Sequence, residues 1–371
     1  MRDLSNISVV LPSLDPDEKL GIVIEGLLEH GFSDIILVND GSKQENLHYF
    51  EEAAAAHPDV IHLLHHEVNK GKGAALKNAF RWFLQNRPGA AGVVTVDGDN
   101  QHHPADTRAC CENMLETGHL TLGCRDFTLD HVPARSRFGN HTTSAIFKIF
   151  VGMTISDTQT GLRAIPREDL ETLVNVAGDR FEYEPNMLLA MKNHGIPFDE
   201  VKIRTVYIEE NKSSHFHPIR DSWRIYKLIL AHFFRYTISS LIGSVVETGL
   251  LAALNLTLKN LLSGISLTAA TTIPARIISC LVNFYLNKNM VFKTNTPTGK
   301  AMGRYWILAG FQMLAQFLLD EGFYVLFSVG SDATILRVVV HTLVMIGLYF
   351  LSFIVQQRWV FAAEKRSKEK V

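Results

Sequence analysis

Asp97 and Asp99 stand one residue apart where an apolar, β-branched run, Val93-Val94-Thr95-Val96, gives way to Asn100-Gln101-His102-His103-Pro104. Such a run reads as a buried strand. Side chains alternate along an extended backbone, so both carboxylates leave the strand tip facing the same way. Two hard anionic donors with the amide oxygen of Gln101 nearby suit Mg2+ or Mn2+, a cation held jointly with substrate phosphates. An isolated Asp-x-Asp is also an ordinary polar turn, so the neighbouring stretches decide between the two.

One of these is Asn69-Lys70-Gly71-Lys72-Gly73. Its glycines let backbone approach a ligand, and the helix that follows presents an N-terminus that favours anions. The Gly-x-x-x-x-Gly-Lys-Ser/Thr pattern of a P-loop is absent. Further on, Arg125, Arg135, Arg137 and Arg163 are spaced around acid-containing loops, among them Asp157-Thr158-Gln159-Thr160-Gly161-Leu162. One arginine is ordinarily solvated surface charge. Four around such loops read as counter-ions to phosphate, which planar bidentate donors match well.

These residues need elements to position them. Ile7–Leu11 (ended by Pro12), Ile35–Val38 (ended by Asn39-Asp40-Gly41-Ser42), Val60–His65 and Val93–Val96 read as strands, and Leu120–Cys124 as a later one. Helical segments over about 17–30, 44–56 and 74–86 alternate with the first four, which means βαβ units and a mostly parallel α/β sheet. Ligands of such sheets sit beyond the carboxyl ends of the strands. Asp40, the Asn69–Gly73 loop, Asp97 and Asp99 all fall at such ends and are expected to converge on one crevice.

The 371 residues leave room for two domains. A formal net charge of −2 gives no basic field, which excludes nucleic acid as a partner. Cys110, Cys111, Cys124 and Cys280 form no Cys-x-x-Cys pair and read as core thiols of a reducing compartment. Met1–Asn6 holds no signal-peptide core, so the first domain is expected in the cytosol. Mean hydropathy of +0.08 hides a split: the chain reads as a soluble α/β protein up to about 215 and as membrane beyond about 232.

With Pro12-Ser13-Leu14-Asp15, Asn39-Asp40-Gly41-Ser42, Asn69–Gly73 and Asp97–His102 in this order, the first half resembles the nucleotide-sugar half of a family-two glycosyltransferase of GT-A (Rossmann-like) fold. That resemblance implies a UDP- or GDP-sugar donor bound by Pro12, Asp15, Asp40, Asn69, Gly71, Lys72, Asp97, Gly98 and Asp99. Pro12 and Asp40 would border the nucleoside, and Asp97 and Asp99 would serve the diphosphate and its metal. Gln101 would complete the metal site, as in dolichol-phosphate mannose synthases. The stretch Asp157–Arg163 resembles the Asp-x-x-x-Gly-x-Arg box of polyprenyl-phosphate glycosyltransferases, and Arg180–Glu184 and Tyr207–Phe216 resemble that group too. The implied acceptor is a polyprenyl phosphate, its phosphate met by Arg125, Arg135, Arg137, Arg163, Lys212 and Ser214. Asp97, Asp99, Gln101, Asp157 and Arg163 are the implied catalytic set. A phosphate monoester is already anionic near pH 7, its second pKa lying at about 6. It can attack an anomeric carbon without a strong base, so the expected course is single displacement with inversion, Asp157 acting in positioning, with action as a base the alternative.

Beyond the basic and aromatic stretch 217–234, expected as an amphipathic juxtamembrane linker, four apolar stretches lie near 236–258, 265–287, 305–328 and 335–357. Each has roughly the 20 residues that cross a bilayer. Lys288, Lys293, Lys300 and Arg304 lie between the second and third, and Arg358, Lys365, Arg366, Lys368 and Lys370 follow the fourth. Positive-inside counting therefore places both chain ends and the catalytic domain in the cytosol. Arg235-Tyr236 recurs as Arg304-Tyr305, and Phe284, Val291 and Phe292 recur as Phe353, Val360 and Phe361, each 69 residues later. A duplicated helical hairpin is expected. The hairpin endings Asn287–Phe292 and Gln357–Phe361 resemble the GtrA-like four-helix domain, which is associated with polyprenyl-linked sugars. Charges within spans need partners, and matching depths pair Glu247 with Arg276, and Asp320 or Glu321 with His341. The expected partition is a GT-A domain over 1–216, the linker, a membrane domain over 235–361 and a basic tail over 362–371. Two other functions share these features. One is a lipid-linked-sugar transporter with a nucleotide-sugar-binding domain. The other is a processive polysaccharide synthase, whose Gln-x-x-Arg-Trp box meets Val355 here in place of its glutamine.

Overall fold

Strand β1 (Ile7–Ser13) is buried along nearly all its length because it lies inside the sheet, flanked on both sides by parallel neighbours. The computed structural model describes residues 2–130, 132–204, 218–294, 296–328 and 333–362, with backbone alone at 135, 218–226, 228, 229 and 232. Within these, β1 is followed by α1 (Lys19–Glu29), β2 (Ile35–Asn39), α2 (Leu47–Ala56), β3 (Ile61–His65), α3 (Lys72–Asn86) and β4 (Gly92–Thr95). Then come α4 (Pro104–Thr117), β5 (Leu120–Arg125), α5 (Ala134–Ile146), β6 (Arg163–Pro166), α6 (Arg167–Val174), α7 (Tyr183–His194) and β7 (Phe198–Ile203). Among the described residues the sheet has seven strands in the order β3-β2-β1-β4-β6-β5-β7.

Only β6 runs against its neighbours, pairing antiparallel with β4 and β5. The carboxyl ends of the other six strands and the amino end of β6 therefore share one edge. Sequence periodicity gave neither β6 nor β7. Four residues opening on an arginine carry too short a pattern, and Phe198-Asp199-Glu200-Val201-Lys202-Ile203 is half charged.

Two layers of helix cover the sheet. Leu20, Ile24 and Leu27 of α1 and Cys110, Cys111 and Met114 of α4 pack with Val9, Leu11, Leu37 and Val94. All are almost wholly withdrawn from water, each large aliphatic contributing about 1.5–3 kcal/mol by burial. The chain turns sharply from the Asp97–Asp99 tip into α4: His103 accepts from Ala105 N at 3.1 Å as N-cap, Pro104 fills the first turn, and Gly118 ends the helix in the left-handed region. The four thiols are free, three of them buried as expected.

A second unit comprises Ile149–Gly152 and Lys227–Glu364. It contains α8 (Pro218–Leu258, whose first turns lie ahead of the unit), α9 (Gly264–Leu286), α10 (Thr298–Leu326) and α11 (Thr334–Val355). The stretch expected as a separate linker is the start of α8. Among the described residues three helical segments, Phe233–Leu258, Gly264–Val291 and Thr334–Val360, are long and apolar enough to cross a membrane. The expectation of four such spans meets α10, which has the length but carries Gln312, Gln316, Asp320 and Glu321.

The 69-residue repeat is visible in three dimensions. Helices α9 and α11 both end in a π-helical turn, Asn287–Val291 and Gln356–Val360, closed by matched bonds from Phe292 N to Asn287 O and from Phe361 N to Gln356 O, 2.8 Å each. Repeat-related Asn287 and Gln356 meet, Nδ2 to Oε1 at 3.0 Å, and Phe292 stacks on Phe361. Both expected contacts form: the Arg276–Glu247 ion pair at 2.8 Å and His341 Nδ1 to the Asp320 carboxylate at 2.7 Å.

Candidate active site

Loops at the shared sheet edge supply the charged residues. At the end of β2, Asp40 is buried, and its carboxylate accepts from Lys70 N at 3.0 Å and Gly71 N at 2.8 Å. His66, just after β3, donates Nδ1–H to Asp40 at 2.7 Å, and its Nε2 lies 3.2 Å from the Asn78 amide. Asp40 therefore clasps the glycine loop, instead of presenting a free carboxylate to a nucleoside. Asn39 is likewise engaged, accepting from Ser42 N at 2.9 Å and meeting His65 through Nδ2. Asp15, after β1, accepts from Lys43 N at 2.8 Å, tying the first two strand-end loops together. Pro12 is buried within β1, opposite Val38.

The glycines of the third loop serve packing. Gly71 has φ +101°, and a Cβ there would lie 2.4 Å from Asp179 O; a Cβ on Gly73 would lie 2.5 Å from the Tyr183 Cβ. Their bareness seats the start of α3 directly on the start of α7. Ala74 N donates to Asp179 O at 2.9 Å, while the Lys77 ammonium reaches the Asp179 carboxylate at 2.6 Å. Asn69 is placed near Arg180, 3.5 Å between amide oxygen and guanidinium.

This seating brings Lys72, the first residue of α3, to Glu184 near the start of α7 at 3.0 Å, and to Asp97 beyond β4 at 2.7 Å. Gly161 makes room for the cluster, since a Cβ would stand 2.4 Å from Asp97 Oδ2. Its carbonyl is held by Thr95 Oγ1 at 2.6 Å. Burial opposes ionisation of Asp97, yet Lys72 and the neighbouring cations hold its carboxyl below the usual range. Asp99 is pushed the other way, by burial and then by the charge on Asp97. Asp99 also accepts from Gln101 N at 3.1 Å, with Asn100 at φ +61°. His102 accepts from Asp97 N at 3.3 Å, and burial keeps its imidazole below its ordinary pKa and neutral.

Two adjacent carboxylates, one resisting ionisation through burial and the charge of the other, form a donor set that a hard divalent cation relieves. Among the described residues no three His, Cys, Asp or Glu side chains gather in ligating geometry. Asp97 and Asp99 would thus depend on an amide oxygen, such as that of Gln101, and on substrate phosphates for the remaining positions.

The arginines divide. Arg125, at the end of β5, holds the wholly buried Asp157 in two bonds, Nε to Oδ2 at 2.7 Å and Nη2 to Oδ1 at 3.2 Å, while Gln159 N donates to Oδ1 at 3.0 Å. Arg163 is 1% exposed and donates to Thr160 O and Glu184 O, so it braces β6 and α7 from inside. Burial lowers its pKa. Arg137 lies in the first turns of α5 and donates to Leu129 O at 3.0 Å. Arg135 lies on the same helix, its side chain outside the described structure; Lys212 and Ser214 fall outside the described residues altogether. Glu184 and His102 stood within the stretches Arg180–Glu184 and Asp97–His102 without a role of their own, and His66 lay outside every quoted stretch. Their partners, Lys72, the Asp97 main chain and Asp40, are set by the fold, and no spacing rule exposes them.

The description "Glycosyl transferase family 2" matches residues 8–174, and "GtrA/DPMS, transmembrane domain" matches residues 235–361. An uncharacterized protein of Methanocaldococcus jannaschii is 28% identical over 233 residues, 62% of this chain and 93% of that protein. The UDP-N-acetylglucosamine–dolichyl-phosphate N-acetylglucosaminyltransferase of Methanococcus voltae is 26% identical over 223 residues, 55% of this chain and 86% of the relative. The polyprenol monophosphomannose synthase of Mycolicibacterium smegmatis is 28% identical over 210 residues, 55% of this chain and 78% of the relative.

Proposed function

Because residues 8–174 match glycosyl transferase family 2 and residues 235–361 match the GtrA/DPMS transmembrane domain, we propose that the protein moves a sugar from a UDP- or GDP-linked donor to a polyprenyl phosphate. The product is a polyprenyl-monophosphate sugar made at the cytosolic membrane face. Relatives that act on dolichyl phosphate and on polyprenol support the acceptor class. Lys288 and Lys293, between α9 and α10, with Lys300 and Arg304 in the first turns of α10, support the orientation.

One observation carries the reading: Asp97, Lys72 and Glu184 meet at the carboxyl edge of the sheet, where α/β sheets bind their ligands. Asp97 and Asp99, with Gln101, would hold Mg2+ or Mn2+, which when bound supplies charge stabilisation to the departing nucleoside diphosphate. Lys72 would meet the same diphosphate. An oxygen of the lipid phosphate attacks the anomeric carbon on the face opposite the leaving group, and the new carbon–oxygen bond forms as the bond to the β-phosphate breaks. The electron pair departs with the diphosphate, and the configuration inverts. No proton moves, because the attacking phosphate is already an anion. Both oxygens of Asp157 are occupied, so it serves to orient Arg125. Catalysis reduces to positioning and charge stabilisation.

The test is a panel of UDP- and GDP-sugars offered to the detergent-solubilised protein with and without polyprenyl phosphate. Release of nucleoside diphosphate that requires both the lipid and a divalent cation is expected for one donor. Release indifferent to the lipid would sink the proposed acceptor.

A further inference from the structure

Lys72 is oddly placed for stability. It is the first residue of α3, where the helix macrodipole disfavours a cation. Two carboxylates offset this, Asp97 Oδ1 at 2.7 Å and Glu184 Oε1 at 3.0 Å, and together they raise the ammonium pKa against the effect of burial. The carboxylates differ in kind. Asp97 belongs to the donor site, whereas Glu184 lies on α7, its carbonyl fixed by Arg163 Nη1 at 2.9 Å and its helix start seated on Gly71 and Gly73.

The geometry points to Lys72 as a resident counter-ion of Asp97 that yields to the divalent cation, and to Glu184 as the positioning residue on which it parks. This role rests on the proposed donor-site cation. A divalent ion bound through Asp97 would stand beside the ammonium, and like charges at such range repel. Lys72 has a second anion already in contact, so it can release Asp97 without entering solvent. Once held by Glu184 alone, it turns a freed N–H toward the donor diphosphate. Gly161 provides the space for this exchange, because a Cβ there would also lie 3.2 Å from Lys72 Nζ. The site thus keeps its charge balance empty and loaded with one mobile side chain.

The experiment measures Mn2+ binding to the full-length protein in detergent without donor, from the electron paramagnetic resonance signal of free Mn2+. Lys72→Met removes the competitor and should tighten Mn2+ binding roughly tenfold. Glu184→Gln removes the parking place and should weaken it roughly tenfold, the scale on which residues behind metal ligands act. The decisive variant is the double one: with no ammonium to park, Lys72→Met/Glu184→Gln should bind Mn2+ as Lys72→Met does. The thermal midpoint read alongside should rise more with Mn2+ in Lys72→Met than in wild type, since the ion then replaces a missing charge. If Lys72→Met fails to fold, Lys72→Gln takes its place. Unchanged or weaker Mn2+ binding on loss of Lys72 overturns the role, as does a Glu184→Gln defect that persists in the double variant. Wild-type protein that binds no Mn2+ refutes the donor-site cation itself, a distinguishable failure.

Discussion

The two halves of the molecule each hold a polar cluster, and they build it by opposite rules. At the sheet edge, Lys72, Asp97 and Glu184 come from three segments with no resemblance to one another, and every contact joins unlike groups. In the helical unit, Asn287 and Gln356 occupy equivalent positions of a 69-residue repeat and bond to each other. Each also bonds within its own helix, Asn287 to Asn283 at 2.9 Å and Gln356 to Ser352 at 3.0 Å. A displacement reaction has a donor side and an acceptor side, so its site has no use for symmetry. Packing of two like hairpins gains from it, because one set of contacts is used twice. Charge is concentrated where chemistry is proposed, and neutral amides sit where the repeats meet.

Substitutions can break that contrast, beginning with the largest effect. Asp97→Asn keeps the shape but loses the negative charge, and nucleoside diphosphate release should fall on the order of 10²–10³-fold with little change in thermal midpoint. Gly161→Ala should come next. Its Cβ would stand 2.4 Å from Asp97 Oδ2, so the carboxylate must move, and misplacement of that size costs on the order of 10²-fold in rate. A near-normal rate would mean Asp97 tolerates displacement, and the asymmetric site would be looser than described.

The helical cluster should answer in stability instead. Asn287→Leu and Gln356→Leu each leave a buried partner unsatisfied and should each cost about 1–3 kcal/mol in detergent unfolding. The double variant should cost less than the two together, as expected for residues in contact. Transfer per folded molecule should be unchanged. A rate loss beyond the loss of folded protein would draw the membrane unit into the chemistry.

The smallest effect lies away from both clusters. Asp34 is gripped by Arg87 at 2.8 and 3.1 Å, and although burial opposes it, this pair lowers its carboxyl pKa. A depressed folded-state pKa means the stabilisation is complete above the ordinary carboxylate range near 4 and fades as pH falls through the lowered value. Asp34→Asn should cost about 1–2 kcal/mol at neutral pH and flatten the acid side of the stability profile, leaving transfer intact.

Much of this was legible in the residues. The first four strands announce themselves as β-branched runs, and the polar stretch closing each one falls at the shared sheet edge. The Glu247–Arg276 pair followed from matched depth along hairpin arms, and the repeat from two tyrosines and two pairs of phenylalanines at one offset. What stayed hidden depends on direction. Arg163 sits in a box whose spacing says nothing of which way the guanidinium points, and it points inward. Glu184 reaches Lys72 only because bare glycines let two helix starts touch, a contact without periodicity. Asp40 looked like a ligand group, yet the backbone amides of Lys70 and Gly71 and the His66 imidazole take up its carboxylate. The polar bonding inside α10, where Gln316 meets Asp320 at 3.0 Å, likewise has no periodic signal.

The central claim is that one asymmetric strand-edge site passes sugar to a lipid phosphate. Purified full-length protein, polyprenyl phosphate and a radiolabelled nucleotide-sugar test it in a single extraction. The account predicts label entering the organic phase, dependent on a divalent cation and increasing with time. Label that binds the protein without ever appearing on lipid would contradict it and favour a binding or transport role.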